Sequence, residues 1–438
     1  MEAILRNFYE NGLSYFVIFL LMAAGVFFWL YLGKTPFRRT NQRKKGELRA
    51  SLGALSVALA GTLGVGNIAG VSLAIATAGP GALFWMWASA LLAMILKYVE
   101  VVLAFRFKGA RGYGAMDYMK KGIGGKLGRI AASVFALLCL FASLSMGGVL
   151  QADTAVACLH AAFGGERTVY SVLLALLCAV CLFGGVKAVT SASVRLVPLM
   201  SVLYIAMCLG VLFVCRDRLP SALSAVLDEA MQPLSAGGGI LGFLTSVSVR
   251  AGVSRGMLSN EAGCGTAPMA HVTAEGGDGM RQGRMGMFEV FFDTVVLCSL
   301  TALVILVTGV CDTAETTGSG MLLPLRAFSL VYGKSADYLL AVAVLCFSFA
   351  TVICWGYYGE CCLAYFTRAR WATVLYRTTF SASVLLGAVL ASSFIWTLTD
   401  VILGLMTVMN VLALLVLAPC LRQSERCKLR GEEFLCVH

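Results

Sequence analysis

The strongest constraint on the fold of this 438-residue chain is a series of apolar runs about twenty residues long. As a helix, such a run is long enough to cross a hydrocarbon core roughly 30 Å thick. We place eleven of these runs at 11–33, 51–78, 80–105, 130–159, 168–186, 196–215, 237–258, 286–310, 336–366, 372–392 and 396–420. The pattern predicts an all-α polytopic membrane protein with eleven transmembrane helices.

The runs follow one another without a linker rich in Pro, Ser or Gly. Only 13% of the residues are charged, whereas soluble proteins carry about one quarter. The chain is therefore predicted to form a single integral membrane domain over 1–420, followed by a basic cytoplasmic tail at 421–438.

The distribution of positive charge predicts the orientation of these helices. The chain holds 34 Lys and Arg residues and has a formal net charge of +11. If the N-terminus is outside, 27 of these residues are assigned to inner segments, a count that includes Arg250, Arg255 and Arg377 toward the inner ends of their runs, and six to outer segments; Lys97 is left within its run. Because Lys and Arg concentrate in cytoplasmic loops, we predict a multi-pass protein of the inner or plasma membrane. Its N-terminus is predicted outside and its C-terminus in the cytoplasm, and no nucleic acid is needed to explain the charge.

Two of the runs are interrupted by glycine and polar residues. The second run carries four glycines and Asn67 within 61–70, and the seventh carries four glycines, Thr245 and two serines within 237–248. Five runs separate the two, so the pattern is that of two five-helix repeats of opposite orientation, 51–215 and 237–420, with the helix at 11–33 outside the repeat. Discontinuous helices at corresponding positions are typical of inverted-repeat transporters, whose binding site lies at the membrane midplane. Close helix packing through small residues would produce the same glycines without a binding site.

Six segments of the chain resemble the alanine/glycine:cation symporter family. They are GVGNIAG at 64–70, GPGALFWMWASALL at 79–92, KYVE at 97–100, SRGMLSNEAGCGTAPMAH at 254–271, RQGRMGMFEVFFDT at 281–294 and YYGE at 357–360. The resemblance runs from about residue 48 to 418. It implies a leucine-transporter-type bundle of ten helices plus one, and cation-coupled symport of a small neutral amino acid such as alanine or glycine, with sodium or protons as the coupling ion.

The break at 61–70 supplies the first candidates for a substrate site. A broken helix exposes free N–H groups that can hold a carboxylate, and glycine lets a ligand approach the backbone. We therefore predict that Gly64, Gly66 and Asn67 bind the substrate carboxylate. Gln151 lies deep in a long run, where either substrate contact or a hydrogen bond between helices would satisfy its amide. Thr245 is a further candidate, and Trp355 is expected either to wall the pocket or to belong to the core.

The family resemblance implies a sodium site between the first and eighth core helices. Applied to this chain, it gives the carbonyl groups of Leu63 and Val65 and the hydroxyl groups of two residues on one face of the run 336–366, Ser348 and Thr351. The alternative is that both hydroxyls bond to a carbonyl one turn back in their own helix. No organic cofactor is expected, and no metal beyond the transported cation.

Four charged residues lie inside or beside runs. Glu289 and Asp293 share one helix face, and Lys97 and Glu100 lie near the inner end of their run. They are interpreted either as an ion route or as gate structure paired with Arg250, Arg255 or backbone donors. Asn260 and Glu261 are predicted to be gate structure because the run pattern assigns them to an inner loop.

The sequence leaves a second class of function open, an amino-acid sensor that binds its ligand on a transporter scaffold without transporting it. A membrane enzyme is not predicted, because no Ser/His/Asp arrangement or metal cluster is recognisable. Sodium or proton coupling, the amino acid and its enantiomer, and the oligomeric state stay open at this point.

Overall fold

The computed structural model of the chain describes residues 2–37, 47–109, 112–235, 246–274, 278–312, 321–390 and 393–430, and every regular element in them is helical. In chain order the helices are α1 Glu2–Leu32, α2 Glu47–Thr62, α3 Ala69–Ala78, α4 Gly81–Arg106, α5 Gly125–Phe163, α6 Arg167–Phe183, α7 Gly185–Val214, α8 Leu219–Ser235, α9 Val247–Asn260, α10 Ala267–His271, α11 Gly279–Thr308, α12 Leu322–Tyr332, α13 Ser335–Phe366, α14 Arg370–Leu390 and α15 Ser393–Arg430. Short helical turns lie between some of them, at Thr35–Phe37, Val65–Asn67, Ala115–Asp117, Tyr118–Ile123, Arg216–Arg218 and Val310–Asp312.

Seven helices in the described residues are long and apolar enough to cross a membrane, and α2 with α3 forms an eighth, bent candidate. The seven are α1, α4, α5, α7, α11, α13 and the segment Phe394–Leu421 of α15. Their outward surfaces, and those of α6 and α14, expose large apolar side chains such as Leu30, Val180, Phe213 and Trp371. Because water penalises an extended apolar surface, these faces are suited to contact lipid.

The interruption predicted near 61–70 coincides with a bend of 59° between Ala50–Thr62 and Val65–Ala78. The helix stops because Gly64 is extended, with φ −125° and ψ −160°, and a short 3-10 turn follows at Val65–Asn67. The side-chain oxygen of Asn67 then accepts a hydrogen bond from the Gly64 N–H. The amide thus satisfies one of the backbone groups that the break exposes.

The second predicted interruption, near 237–248, lies almost wholly outside the described residues, as does Thr245, and stays a prediction. The described chain shows a further break after α9, which runs from Val247 to Asn260. The chain leaves this helix at Glu261, whose φ is +52°, and resumes at Ala267 with α10; we call this segment the second break. The side-chain oxygen of Asn260 accepts a hydrogen bond from the Ala262 N–H and so stabilises this irregular segment.

Glycine is required in this second break. Gly263 and Gly265 have φ of +86° and +79°, values that other residues rarely adopt. A Cβ atom at Gly265 would also lie 2.9 Å from the ring of Phe135.

The bounds of α9 correct a detail of the charge count, since Arg250 and Arg255 lie within this helix and not in an inner loop. The orientation stays a prediction from the remaining excess of Lys and Arg in the inner segments.

Two long helices contain a π-helical segment next to a polar residue that points into the bundle. In α5 the segment Ser143–Leu150 ends immediately before Gln151, and in α11 the segment Phe291–Cys298 contains Asp293. Both side chains are fully buried. Such bulges shift the register of the helix face and are frequent at functional sites.

Candidate functional site

The two helix breaks meet at the contact between Asn67 and Ser259. Asn67 Nδ2 donates to Ser259 Oγ over 3.0 Å, although the residues lie 192 positions apart in the chain. Both side chains are about 1% exposed. Asn67 therefore joins the break between α2 and α3 to the last turn of α9, immediately before the second break.

Asp293 completes this contact with a buried carboxylate. Its Oδ1 accepts from Asn67 Nδ2 over 2.6 Å, and its Oδ2 accepts from Ser259 Oγ over 2.7 Å and from Thr294 Oγ1 over 2.9 Å. All three donors are neutral, and within the described residues no basic group forms an ion pair with Asp293. A buried carboxylate without a cationic partner is costly, so this group can attract a cation.

Gln151 lies against the first break. Its Oε1 accepts from the Val65 N–H over 3.2 Å, while its Nε2 is buried with no hydrogen-bond partner in the described residues. A Cβ at Gly64 would come within 3.0 Å of Gln151 Oε1, so only glycine permits this approach. The unpaired N–H group of Gln151 is therefore available to a ligand oxygen beside the break.

The N–H groups of the first break are already bonded to side-chain amides. Gly64 N–H donates to Asn67, and Val65 N–H donates to Gln151. Gly66 lies next to Val65 and is open, because a Cβ there would meet only the Ser259 Cα at 3.7 Å. A carboxylate could replace the neutral amide oxygens, since an ionised acceptor forms the stronger hydrogen bond.

Two of the four groups predicted to hold a cation, the Thr351 hydroxyl and the Leu63 carbonyl, are in contact where α13 meets the first break. Thr351 Oγ1 donates to the carbonyl of Leu63 over 3.2 Å and not to its own helix. Ser348 lies one turn earlier on the same helix, and its hydroxyl is buried without a partner in the described part of the chain. The Val65 carbonyl is engaged by the break itself, since it accepts from the Ile68 N–H over 3.2 Å. This is a set of neutral oxygens, which suits a hard monovalent cation.

Trp355 follows Thr351 by one turn and reaches the second break. Its Nε1 donates to Glu261 Oε1 over 2.9 Å, and Glu261 Oε2 accepts from Thr266 Oγ1 over 2.7 Å. Trp355 is fully buried and packs against Gly147 of α5. The carboxylate of Glu261 is therefore buried between α13 and the second break, and its interpretation as gate structure stays a prediction.

A separate polar cluster joins α4, α10 and α11. Lys97 Nζ lies 3.3 Å from Glu289 Oε1, and His271 Nε2 lies 3.2 Å from Glu289 Oε2. All three side chains are fully buried. Nearby, Glu100 Oε1 accepts from the Gly265 N–H and from Asn410 Nδ2. The pairing that we expected with Arg250 or Arg255 does not form, since the bonds run to Lys97 and His271.

Sequence reasoning did not assign Ser259, Thr301 or Asp293 to the site. Thr301 donates to the Asn67 carbonyl over 2.9 Å and also bonds to the hydroxyl of Tyr204. Asp293 was singled out by its charge, but the predicted run began at 286 and placed it near a membrane surface. Because α11 begins at Gly279, Asp293 lies near the middle of the helix.

A bundle of apolar helices with a broken span and buried polar groups beside the break is typical of secondary transporters. The fold agrees with two solved transporters of the leucine-transporter type. A Na⁺-coupled sialic acid symporter aligns with TM-score 0.59 and 12% identity, covering 92% of this chain and 86% of the other. MhsT in complex with L-phenylalanine aligns with TM-score 0.58 and 14% identity, covering 87% and 89%.

The chain belongs to the sodium:alanine symporter family, which it matches over residues 1–426. The sodium/alanine symporter AgcS of Methanococcus maripaludis is 31% identical, with 92% of each chain covered. The putative sodium/proton-dependent alanine carrier protein YrbD of Bacillus subtilis is 35% identical, covering 87% of this chain and 82% of the relative. The probable sodium/glutamine symporter GlnT of Bacillus subtilis is 32% identical, covering 92% and 86%.

Proposed function

We propose that this protein is a secondary active transporter that couples the inward movement of sodium to uptake of a small neutral amino acid, alanine or glycine, by alternating access. The observation that carries the proposal is the break at 63–67, where backbone N–H groups, a backbone carbonyl and buried polar side chains converge. An amino-acid zwitterion and a cation need these groups, because unpaired charge inside a membrane is costly.

The architecture that we propose has eleven transmembrane helices. Repeat one covers 51–215 and repeat two covers 237–420, and α1 lies outside the repeat. The bend at 63–64 supports this arrangement, since it falls within the second span as the repeat requires. Its counterpart is proposed near 237–248, which lies outside the described residues. We further propose an outside N-terminus and a cytoplasmic tail after residue 420, where α15 continues as a helix to Arg430.

The substrate carboxylate is proposed to bind at Gly64, Gly66 and Asn67, with Gln151 as a second contact. Support comes from the unpaired Nε2 of Gln151 and from the space beside Gly66. Thr245 stays a candidate that lies outside the described residues. Trp355 is proposed to form part of the wall of the pocket, and its hydrogen bond to Glu261 would hold the indole in place.

The coupling cation is proposed to bind between the Leu63 and Val65 carbonyls and the hydroxyls of Ser348 and Thr351. The bond from Thr351 to the Leu63 carbonyl and the unpaired Ser348 hydroxyl support this choice. One sodium ion moving inward gains about 2.3 kcal/mol per 100 mV of membrane potential, before its concentration gradient is added. At 100 mV this is enough to drive about fiftyfold accumulation of a neutral substrate, since each 1.4 kcal/mol corresponds to about a factor of ten.

The carboxylate of Asp293 is proposed to balance positive charge at the break. The ammonium group of the substrate and the coupling cation are both positive, whereas Gly64, Gly66 and Gln151 offer no ionised group. Asp293 is bonded to neutral donors and lies directly behind Asn67. Its field would favour either cation in this low-dielectric interior.

Reconstitution into proteoliposomes tests the proposal. Uptake of labelled alanine, glycine and glutamine is measured with an inward sodium gradient, with a proton gradient and with neither. We expect alanine or glycine to accumulate under the sodium gradient. Accumulation under the proton gradient alone would assign coupling to protons, and binding without accumulation of any amino acid would favour the sensor on a transporter scaffold.

A further inference from the structure

Glu261, the first residue of the second break, has a backbone conformation that does not favour a side chain. Its φ is +52° and its ψ is +18°, in the left-handed region, and among the described residues it is the only one other than glycine with a positive φ. A helix that ends in this way usually has glycine here, because a Cβ atom raises the free energy of the left-handed conformation. Gly263 and Gly265, which follow in the same break, are the usual choice. A glutamate held in this conformation points to a role for its side chain.

Both oxygens of the Glu261 carboxylate accept hydrogen bonds inside the bundle. Oε1 accepts from Trp355 Nε1 over 2.9 Å, and Oε2 accepts from Thr266 Oγ1 over 2.7 Å. Glu261 is 3% exposed and Trp355 is fully buried. An indole has a single N–H group, so a hydrogen bond from that group to a carboxylate fixes the orientation of the whole ring. Thr266 fixes the carboxylate in turn, and the second break therefore determines where the indole lies.

Trp355 lies one helical turn from the groups that are proposed to bind the substrate carboxylate. Gly64, Thr351 and Gln151 are neighbours, since a Cβ at Gly64 would lie 2.8 Å from Thr351 Oγ1 and 3.0 Å from Gln151 Oε1. Trp355 follows Thr351 by four residues and is therefore on the same face of α13, about 6 Å further along its axis. On α5, a Cβ at Gly147, four residues before Gln151, would collide with the Cβ of Trp355. An amino acid held by its carboxylate beside Gly64 thus has the indole one turn away.

We propose that Glu261 is a positioning residue that limits the size of the amino acid this protein accepts. Through its hydrogen bond it holds the Trp355 indole across the end of the pocket, where the ring meets any side chain longer than that of alanine. The carboxylate acts through the indole and does not itself touch the substrate. The inference rests on the proposed function, which places the substrate beside Trp355, and it adds the residue that sets the limit on size.

The hydrogen bond matters because a wall excludes a larger ligand only if the wall does not move. A rigid apolar pocket separates ligands that differ by one methylene by about 10–200-fold. Without the carboxylate, the indole N–H would lose its acceptor and the ring could move into the space that the glutamate side chain had filled. Loss of the Glu261 carboxylate should therefore widen the range of amino acids that are accepted.

Uptake of a homologous series by the full chain in proteoliposomes tests the inference. Under an inward sodium gradient, kcat/KM is measured for alanine, 2-aminobutyrate and norvaline, whose side chains grow by one methylene at each step. We expect Glu261→Ala to raise the ratio of norvaline to alanine about tenfold, mainly through a lower KM for norvaline. Glu261→Gln should stay within about twofold of the parent, because its amide oxygen can still accept from the indole.

A double-mutant cycle shows whether Glu261 acts through Trp355. Trp355→Phe removes the donor, so adding Glu261→Ala to this variant should change the ratio no further. Trp29→Phe is the matched control, because the Trp29 indole also donates, to the Leu91 carbonyl over 2.8 Å, and lies away from both breaks. It should keep the ratio of the parent. A further rise when Glu261→Ala is added to Trp355→Phe would contradict a role through the indole.

Glu261→Gly separates selectivity from stability. Both Glu261→Gly and Glu261→Ala lack the carboxylate, but only alanine keeps a Cβ atom in the left-handed conformation. We expect the glycine variant to melt at the higher temperature and the two variants to have the same ratio of norvaline to alanine. If alanine at this position prevents folding, the glycine variant gives the ratio. If a variant binds amino acids without transporting them, the ratio of its two Kd values replaces the ratio of kcat/KM.

Two outcomes distinguish failure of the inference from failure of the proposed function. An unchanged ratio in Glu261→Ala and Glu261→Gly, with uptake of all three amino acids reduced by the same factor, would identify Glu261 as gate structure. It would overturn the inference and leave the proposed function intact. A folded parent that takes up none of the three amino acids, under a sodium or a proton gradient, would contradict both.

Discussion

Asn67 Nδ2 lies 2.6 Å from Asp293 Oδ1, so the side chain that caps the first helix break is itself fixed by a buried carboxylate on α11. The same amide group accepts from the Gly64 N–H through its oxygen. One side chain thus connects the unwound backbone, the end of α9 and the carboxylate of Asp293. A change in the charge of Asp293 should therefore alter the hydrogen bonding of the backbone at the break.

We expect Asp293→Asn to lower sodium-dependent uptake at least tenfold while the protein stays folded. The substitution keeps the size and one acceptor oxygen, but it removes the negative charge that would balance the ammonium group and the cation. Uptake and the sodium concentration for half-maximal rate are measured in proteoliposomes. Asp337→Asn is the control, because that carboxylate also accepts from a serine, Ser329, at a distance from the break. An unchanged sodium midpoint in Asp293→Asn would exclude a role in binding charge.

Two glycines of the first break should respond differently to alanine. At Gly66 the added methyl meets only the Ser259 Cα at 3.7 Å, so Gly66→Ala should melt close to the parent. At Gly64 it would lie 2.8 Å from Thr351 Oγ1, and we expect a loss of about 1–3 kcal/mol from overpacking. Thermal unfolding of the two variants beside the parent measures the difference, and equal melting temperatures would contradict it.

Ligand-induced thermal stabilisation separates binding from packing at Gly66. We expect Gly66→Ala to lose the shift that alanine gives the parent, because its methyl blocks the approach of the carboxylate and a ligand stabilises only the state that it binds. A variant that melts much earlier yet keeps the full shift would identify Gly66 as a packing residue.

Thr351→Ala should raise the sodium concentration needed for half-maximal uptake by severalfold, with little change in melting temperature. The substitution removes the hydroxyl that bonds to the Leu63 carbonyl across the helix junction. Thr308→Ala is the matched control, because the Thr308 hydroxyl bonds within its own helix to Val304 and Ile305. Equal sodium midpoints for the two variants would place the cation elsewhere.

The Lys97–Glu289 pair should act mainly on stability. Both side chains are fully buried, so Lys97→Met leaves the Glu289 carboxylate with His271 as its only remaining partner in the described residues and is expected to cost about 3–5 kcal/mol. The double variant Lys97→Met/Glu289→Leu should recover much of that loss, because it removes the carboxylate that the single variant leaves without its cation. Thermal unfolding in detergent provides the double-mutant cycle. Additive losses, with no recovery, would show that the two charges do not depend on each other.

The first helix break could be predicted from sequence because its signal is local. Four glycines and an amide within ten residues of an apolar run weaken the helix at that point, and Asn67 then bonds within the same segment. The six family segments indicated the fold in the same way, because each is a short stretch that can be recognised without knowing its contacts. Both the break and the segments are therefore signals carried by residues close together in the sequence.

The second break and the role of Asp293 could not be predicted in the same way. The segment 259–266 is polar and therefore has the composition of a surface loop, although contacts from Asn67 and Trp355 hold it inside the bundle. These partners lie more than 90 residues away. Hydropathy also began the eighth run seven residues late, because the first two turns of α11 carry Arg281 and Arg284. Only the packed structure shows where that helix starts.

Sodium-dependent accumulation of labelled alanine and glycine in proteoliposomes is the most direct test of the central claim. The protein is reconstituted, an inward sodium gradient is imposed, and internal amino acid is followed over time beside liposomes that carry Gln151→Leu. The account predicts accumulation of at least one of the two amino acids above its external concentration, collapse of that accumulation when sodium is equal on both sides, and at least tenfold slower uptake by the variant. No accumulation of either amino acid under a sodium or a proton gradient, by a protein that is folded and inserted, would contradict it.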